Sequence, residues 1–446
     1  MSIKKELSGS GIYFILILGV IHIAFFIYAL NWGNIYFGDY KEYLQQVANL
    51  KEHLNWYTGI YEVPFQPDLY SRRPPMYAFF ILSIKSIYNS NSAVLFVQSF
   101  LSCLNFLGLI KLLNEYKFKV NVFKLLIIFI VFYPSQFIMA NLIMTEILFQ
   151  TFLFWSFYNL IQFIKTRENK FILYYNLLIA LALLTKPVLY FFWIINFLFI
   201  LYLYFHNKKS YIPVFTALIP LAIILIISLY NYNVTGYFHY SSLRHNNLID
   251  NSNYIMLNKE GIEKIILKFD TDNLKLDSIH DYAERSKEKE RIATEYIKEN
   301  FGDFVKFHLK GMVNFFLDPG RFELAQFFRI ESPEKSGLYF VFLKDGYSGI
   351  IDYILKLPIV FIFYLFCVMI INIIMIISII NFIFEKRISG EIRIYFIIII
   401  GYLCFMSGVN GLLRYKLPLY PIILFSIPFL FERIYELKSK PDRFKE

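Results

Sequence analysis

The sequence predicts an all-α polytopic membrane protein with about ten transmembrane helices, and three observations carry that prediction. Of its 446 residues 57% are hydrophobic and 17% charged, more apolar surface than a soluble domain of this size can use. Apolar runs of about 20 residues recur along the chain, and that length spans a hydrocarbon core of roughly 30 Å. Between the runs, basic residues gather in short clusters on alternate linkers, the bias expected of cytoplasmic loops.

In chain order the spans fall near 11–30, 92–113, 121–142, 146–164, 171–186, 187–206, 211–232, 351–384, 391–411 and 417–437. Lys4 and Lys5 precede the first run, which is longer than a signal-peptide core and lacks a small-residue cleavage site, so it reads as a retained span. Cys103, Cys367 and Cys404 lie inside apolar runs, which argues against a disulfide framework or a zinc cluster. The net charge of +10 does not point to nucleic acid, because it sits between spans.

The linkers after the second, fourth, sixth and eighth spans carry Lys117 and Lys119, Lys165 and Arg167, Lys208 and Lys209, and Lys386 and Arg387. The tail adds Arg433, Lys438, Lys440, Arg443 and Lys445. All are predicted cytoplasmic, with both termini inside. This parity requires that residues 74–90, PPMYAFFILSIKSIYNS, do not cross. The stretch is short and contains Lys85, and it reads as an interfacial or re-entrant helix. A true span with local charge violations is the alternative. A single membrane domain, 1–446, then carries two exterior loops, 32–91 with interfacial helices and the large, partly helical 233–350. The larger holds 16 Lys and Arg against 18 Asp and Glu, whereas the rest of the chain holds 28 against 16, an asymmetry that fits exterior placement. Within it, 281–317 has helical periodicity through Ile292, Tyr296, Ile297, Phe301, Phe304 and Phe307, and is expected to pack on the membrane surface or on the first loop. No repeat of fixed period is present.

Candidate chemistry gathers at the predicted exterior surface. GDYKEYLQQVANLKEHL (38–54) puts Asp39 just beyond the first span, at the start of a stretch with Leu44, Val47, Ala48, Leu50 and Leu54 on one side. A helix start favours the ionised carboxylate. Asp39 is either a solvated loop residue or a base held at the lipid–water boundary. Glu42, nearby, serves as the ordinary carboxylate for comparison. In YSRRPPMYAFF (70–80), Arg72 and Arg73 precede two prolines that fix the chain direction. Their guanidinium forks suit phosphate; headgroup anchoring is the other reading. Glu146 in NLIMTEILF, Lys186 in LLTKP, and Arg414 and Lys416 in GLLRYKLPLYP fall at three further turns on the same predicted face. Together these residues suit an anionic, lipid-attached ligand. His308 in KFHLKG is a ligand or general acid, or simply a packed surface histidine. No HExxH, CxxC, Walker loop or strand-borne GxGxxG occurs, so no metal or cofactor is expected.

In their order and placement, GDYKEYLQQVANL, RRPPMY, MTE, LTKP, VTGYF, HLKGMVNFFLDPG and RYKLPLYP resemble the GT-C superfamily of polyprenyl-phosphate-sugar glycosyltransferases. The closest branch is that of the protein O-mannosyltransferases and lipid A aminoarabinose transferases. The resemblance implies an inverting transfer of a monosaccharide from a polyprenyl-phosphate donor to a hydroxyl of a lipid or glycan acceptor. It implies a bacterial plasma-membrane protein with an exterior active site. It makes Asp39 the catalytic base, Arg73 the phosphate contact and Tyr43 a matching residue of the same helix. The chain departs from the pattern at Tyr40 and Arg72, where members often carry acids, which weakens a metal bridge. No appended sugar-binding domain is present, so a protein acceptor is disfavoured. A transporter or flippase of lipid-linked sugars would predict inverted repeats and broken helices at the midplane. A polymerase or ligase of lipid-linked glycans would share the loop plan.

Overall fold

A chain this apolar must satisfy its own backbone polar groups wherever water is absent, and helices do so within one segment. In the computed structural model, which describes residues 9–61, 65–207, 211–260, 276, 278–330, 338–409 and 411–439, every regular element is helical. The clusters at Lys4 and Lys5, at Lys208 and Lys209, and at the end of the tail lie outside the described residues. Among the described residues six helices are long and apolar enough to cross a membrane: Gly11–Asn31, Asn91–Leu113, Glu146–Thr166, Ile212–Thr235, Ile359–Ile383 and Leu413–Lys438. Met76–Ile87, Val122–Val131, Asn169–Thr185 and Phe192–His206 are apolar but shorter. The Met76–Ile87 helix has 12 residues, about 18 Å, too short to traverse a core of roughly 30 Å.

The structure breaks three stretches that the sequence presents as continuous. The expected span 121–142 divides into Val122–Val131 and Ser135–Ala140. Pro134 lies between them, and its ring and missing N–H do not allow the helix to continue. Carbonyls of this stretch are met by buried side chains: Tyr420 Oη donates to Phe129 O at 2.8 Å. Gln98 Nε2 donates to Ala140 O at 3.1 Å and Leu142 O at 2.8 Å. Gln150 Nε2 donates to Gln136 Oε1 at 2.9 Å and to Leu417 O at 2.8 Å. The 281–317 stretch also divides, at Asn300, into Tyr282–Glu299 and Phe301–Leu317. The first half reaches the first loop, where Lys289 pairs with Asp68 at 3.1 Å. The second runs against the Ile359–Ile383 and Gly390–Met406 helices. Likewise, the expected span 351–384 divides into the end of a Leu338–Leu355 helix and Ile359–Ile383, with Pro358 just before the second.

Two ends of the bundle differ in chemistry. At one, the three predicted basic linkers among the described residues meet. Glu432 Oε2 accepts from Lys119 N–H at 2.8 Å, Lys165 pairs with Glu115, Arg167 with Glu391 at 3.2 Å, and Arg387 lies over Phe118 and Phe429. The Glu146–Thr166 helix runs away from this end for 21 residues, about 30 Å. Glu146 stands at its far end, where the first loop, the 183–189 turn and the 411–416 turn converge.

If the basic end is cytoplasmic, cysteines replacing exposed Lys41 and Lys119 should react from opposite sides. In intact cells an impermeant maleimide should modify Lys41→Cys, and Lys119→Cys only after permeabilisation. Modification of Lys119→Cys in intact cells would overturn the orientation.

Candidate active site at the end of the bundle

The Tyr40–His53 helix buries Tyr43, Gln46, Val47, Asn49 and Leu50, and presents its first turn to the convergence point. Asp39 occupies the N-cap position, yet its side chain makes no capping bond. Its carboxylate turns instead to two guanidiniums: Arg73 Nη2 lies 2.9 Å from Oδ1 and Arg414 Nη2 lies 3.1 Å from Oδ2. Burial alone would raise the Asp39 pKa, but the charges of Arg73 and Arg414 outweigh it and hold the carboxyl below its ordinary value.

Arg73 is held by its backbone as well as by its charge. Gln46 Nε2 donates to Arg73 O at 2.9 Å, and Ser241 Oγ donates to Arg72 O at 3.0 Å. The Arg-Arg-Pro-Pro element is thus pinned from the first loop and from the start of the second. Pro74 and Pro75 then lead into the Met76–Ile87 helix. Glu42, one turn after Asp39, takes Arg73 Nε at 2.5 Å and Arg72 Nε at 3.3 Å. It is therefore part of the cluster and no neutral comparison for Asp39. The Tyr43 ring lies 5.5 Å from the Arg73 guanidinium. Burial pushes its phenol up to about 12, so it stays protonated.

Lys186 follows the Asn169–Thr185 helix in an extended conformation (φ −138°, ψ 129°), as a residue before proline prefers. That geometry sends Nζ to Glu146 Oε1 at 2.8 Å. Glu146 is fully buried at the N-terminus of its helix, a position that favours a carboxylate. Arg414 joins the two halves of the site, with Nε 3.4 Å from Glu146 Oε1 and Nη2 on Asp39. Its turn is fixed by close glycine contact. Gly411 has φ +52°, and a Cβ there would stand 1.8 Å from Gly311 O; only glycine fits.

Seven predicted residues thus come together: Asp39, Tyr43, Arg72, Arg73, Glu146, Lys186 and Arg414. Two do not. Lys416 points the other way and donates to Phe316 O at 2.8 Å, Asp318 O at 3.2 Å and Asn372 Oδ1 at 2.9 Å. It closes the C-terminus of the Phe301–Leu317 helix. His308 sits between the rings of Phe304 and Phe405, 5.5 and 4.8 Å between centroids, and touches none of the others. Sequence reasoning missed Glu42, although spacing of three from Asp39 puts both on one helix face. It also missed Glu323, a lone acid in the buried turn RFELAQF. Among the described residues no three His, Cys, Asp or Glu side chains are placed to hold a metal ion.

The cluster holds four cations (Arg72, Arg73, Lys186, Arg414) and three carboxylates (Asp39, Glu42, Glu146). It lies at a membrane-thickness distance from the basic end, and a further carboxylate, Asp250, acts on Arg72.

No protein-family model matches the chain, and no curated protein does. Among solved structures, ArnT from Cupriavidus metallidurans bound to undecaprenyl phosphate is similar at 10% identity and TM-score 0.40, over 89% of this chain and 76% of that one. The apo state of the same protein gives 10% identity and TM-score 0.40 over 91% and 77%.

Because the Asp39 pKa is depressed in the fold, its ion pairs stabilise the protein above the ordinary carboxylate value, about 4, and are lost as pH falls through the lower folded value. Thermal unfolding in detergent should show this acid loss in wild type and a smaller loss in Arg414→Gln. Equal acid sensitivity in the two proteins would mean that the Arg414 contact does not hold the charge of Asp39.

Proposed function

We propose that this chain is a GT-C type glycosyltransferase that moves a monosaccharide from a polyprenyl-phosphate carrier to an acceptor hydroxyl at the exterior face of the membrane, with inversion. The observation that carries the reading is the cluster of four cations gathered with Asp39 at one end of an apolar bundle, with Arg73 and Arg414 both on its carboxylate. The motif order described above supports it. The donor phosphate would lie against Arg73 and Arg414, with its polyprenyl chain among the apolar helices.

The mechanism follows from how the charges are shared. In the free site Asp39 is held by two arginines and is a weak base. A phosphate that takes up donors from Arg73 and Arg414 weakens their hold on Asp39, and its carboxylate becomes more basic. The acceptor hydroxyl then gives its proton to Asp39 as its oxygen attacks C1 of the sugar. The C1–O bond to phosphate breaks, and its electron pair stays on the phosphate oxygen. Arg73, with Arg414 and Lys186 behind it, stabilises that developing charge. In-line attack inverts the anomeric centre. The acceptor is a lipid or a glycan, and no metal or cofactor takes part in this reading.

Asp39→Asn keeps the size of the side chain but accepts no proton at neutral pH. Single-turnover transfer should fall by about 10²–10⁴-fold, while donor binding persists, since the lost interaction belongs to the transition state. Arg73→Ala should weaken donor binding strongly. Arg73→Lys should restore part of it, because lysine lacks the two-pronged contact. Glu52→Gln, an exposed carboxylate on the same helix, is the control. Near-normal transfer by Asp39→Asn would remove the base from this account and leave binding or transport of lipid-linked sugars as the function.

A further inference from the structure

Arg321 is a buried cation that the mechanism leaves unused. It opens the Arg321–Phe327 helix and is 9% exposed. Its guanidinium lies 4.4 Å from the Phe322 ring centroid and 5.2 Å from that of Tyr353, which belongs to the Leu338–Leu355 helix. Contact with two rings holds the plane of the group. Nη2 is buried and has no hydrogen-bond partner in the fold, and among the described residues Arg321 makes no ion pair. Two carboxylates stand near in sequence and do not meet it. Asp318, whose charge reaches Arg321, gives Oδ1 to Gly320 N–H at 3.0 Å and Oδ2 to Leu413 N–H at 2.6 Å. Glu323 is two residues along the same helix, and residues at that spacing do not face each other.

Arg321 is separate from the Asp39 cluster. The turn before it binds Leu413 N–H and takes Lys416 Nζ on Asp318 O at 3.2 Å, so it lies on the side of the 411–416 turn that Lys416 faces. Arg414 turns the other way, to Asp39. A water molecule can bond Nη2 but leaves its charge unmatched, and a buried charge without a counter-charge is costly. An oxyanion meets both needs, because a guanidinium edge offers parallel donors to phosphate. The surroundings are apolar. Phe322 is 40% exposed, and Leu355, Ile359 and Val360, which follow Tyr353 into the Ile359–Ile383 span, are also exposed. One charged donor amid apolar side chains at a membrane helix fits a phosphate carried on a lipid.

We propose that Arg321 is a second anion site, distinct from the Asp39 cluster, and that it takes the phosphate of an anionic lipid whose chains lie over Phe322 and the start of the Ile359–Ile383 helix. The inference stands without the glycosyltransfer reading, since it concerns a residue on the opposite side of the 411–416 turn.

The probe is dioctanoyl phosphatidylglycerol, a lipid phosphodiester of single charge, titrated into detergent-solubilised full-length protein. Inorganic phosphate supplies the anion alone and dioctanoylglycerol the chains alone. Each titration is run in wild type and in Arg73→Ala, in which the Asp39 cluster is weakened. The phosphatidylglycerol should bind both proteins. Adding Arg321→Met, which keeps an apolar stem and removes the charge, should lower the affinity about 10–100-fold in the Arg73→Ala background. Arg321→Lys should keep part of it, and neither partial probe should match the lipid. Without lipid, Arg321→Met should unfold at a temperature no lower than wild type, because it removes a buried charge that no ion pair matches. Unchanged affinity in Arg321→Met, or a lower unfolding temperature without lipid, would overturn the site. Binding lost in Arg73→Ala alone would place the lipid at the Asp39 cluster, overturning this inference while leaving the phosphate reading of that cluster intact. Inorganic phosphate binding as tightly as the phosphatidylglycerol would overturn the lipid as its source.

Discussion

Charge can be buried at the end of an apolar bundle only in sets that neutralise one another, because an unpaired ion out of water costs several kcal/mol. Arg414 answers that constraint here. It touches Asp39 from the first loop and Glu146 at the start of a membrane-length helix. Glu146 in turn holds Lys186, and Asp39 holds Arg73. One guanidinium thereby ties four turns, far apart in sequence, into a single polar face. Without it, Asp39 and Glu146 would each keep one cation, Arg73 and Lys186, but no ion pair would join the two halves.

The large second loop contributes by fixing the first. Ser71 Oγ meets His239 Nε2 at 2.5 Å, Ser242 Oγ donates to Asp68 O at 2.6 Å, and Lys289 pairs with Asp68. These contacts surround the two residues before the arginine pair, while Gln46 holds the backbone just after it. A guanidinium fork that must meet a phosphate needs its own backbone immobile, since a displacement of about 1 Å can cost 10²-fold in rate. The elements that look remote from the chemistry are thus the ones that aim Arg73.

Much of this face was legible in the sequence, for reasons that can be named. Asp39 follows a span and begins an amphipathic helix, Arg73 precedes a proline pair, and Lys186 precedes Pro187; each has a local cause for its position. What was not legible depends on rotation and on distant contact. Arg414 and Lys416 share one motif, but two residues along a helix turn the side chain by about 200°, so one faces the site and the other caps a neighbouring helix. Glu42 looked like a bystander until Arg72 and Arg73, some 30 residues later, were brought to it. The break at Pro134 was masked by continuous hydropathy, because the side chains that meet carbonyls of the stretch, Gln98 and Tyr420, lie on other helices.

The central claim is that the cluster cleaves a sugar from a lipid phosphate. It is tested most directly by incubating purified protein with a panel of polyprenyl-phosphate monosaccharides and membrane-derived acceptors. Free polyprenyl phosphate and glycosylated acceptor are then measured together. The account predicts that at least one donor yields the two products in equal amounts, with the anomeric configuration inverted. Donors that bind and cross the bilayer with the C1–phosphate bond intact would contradict it.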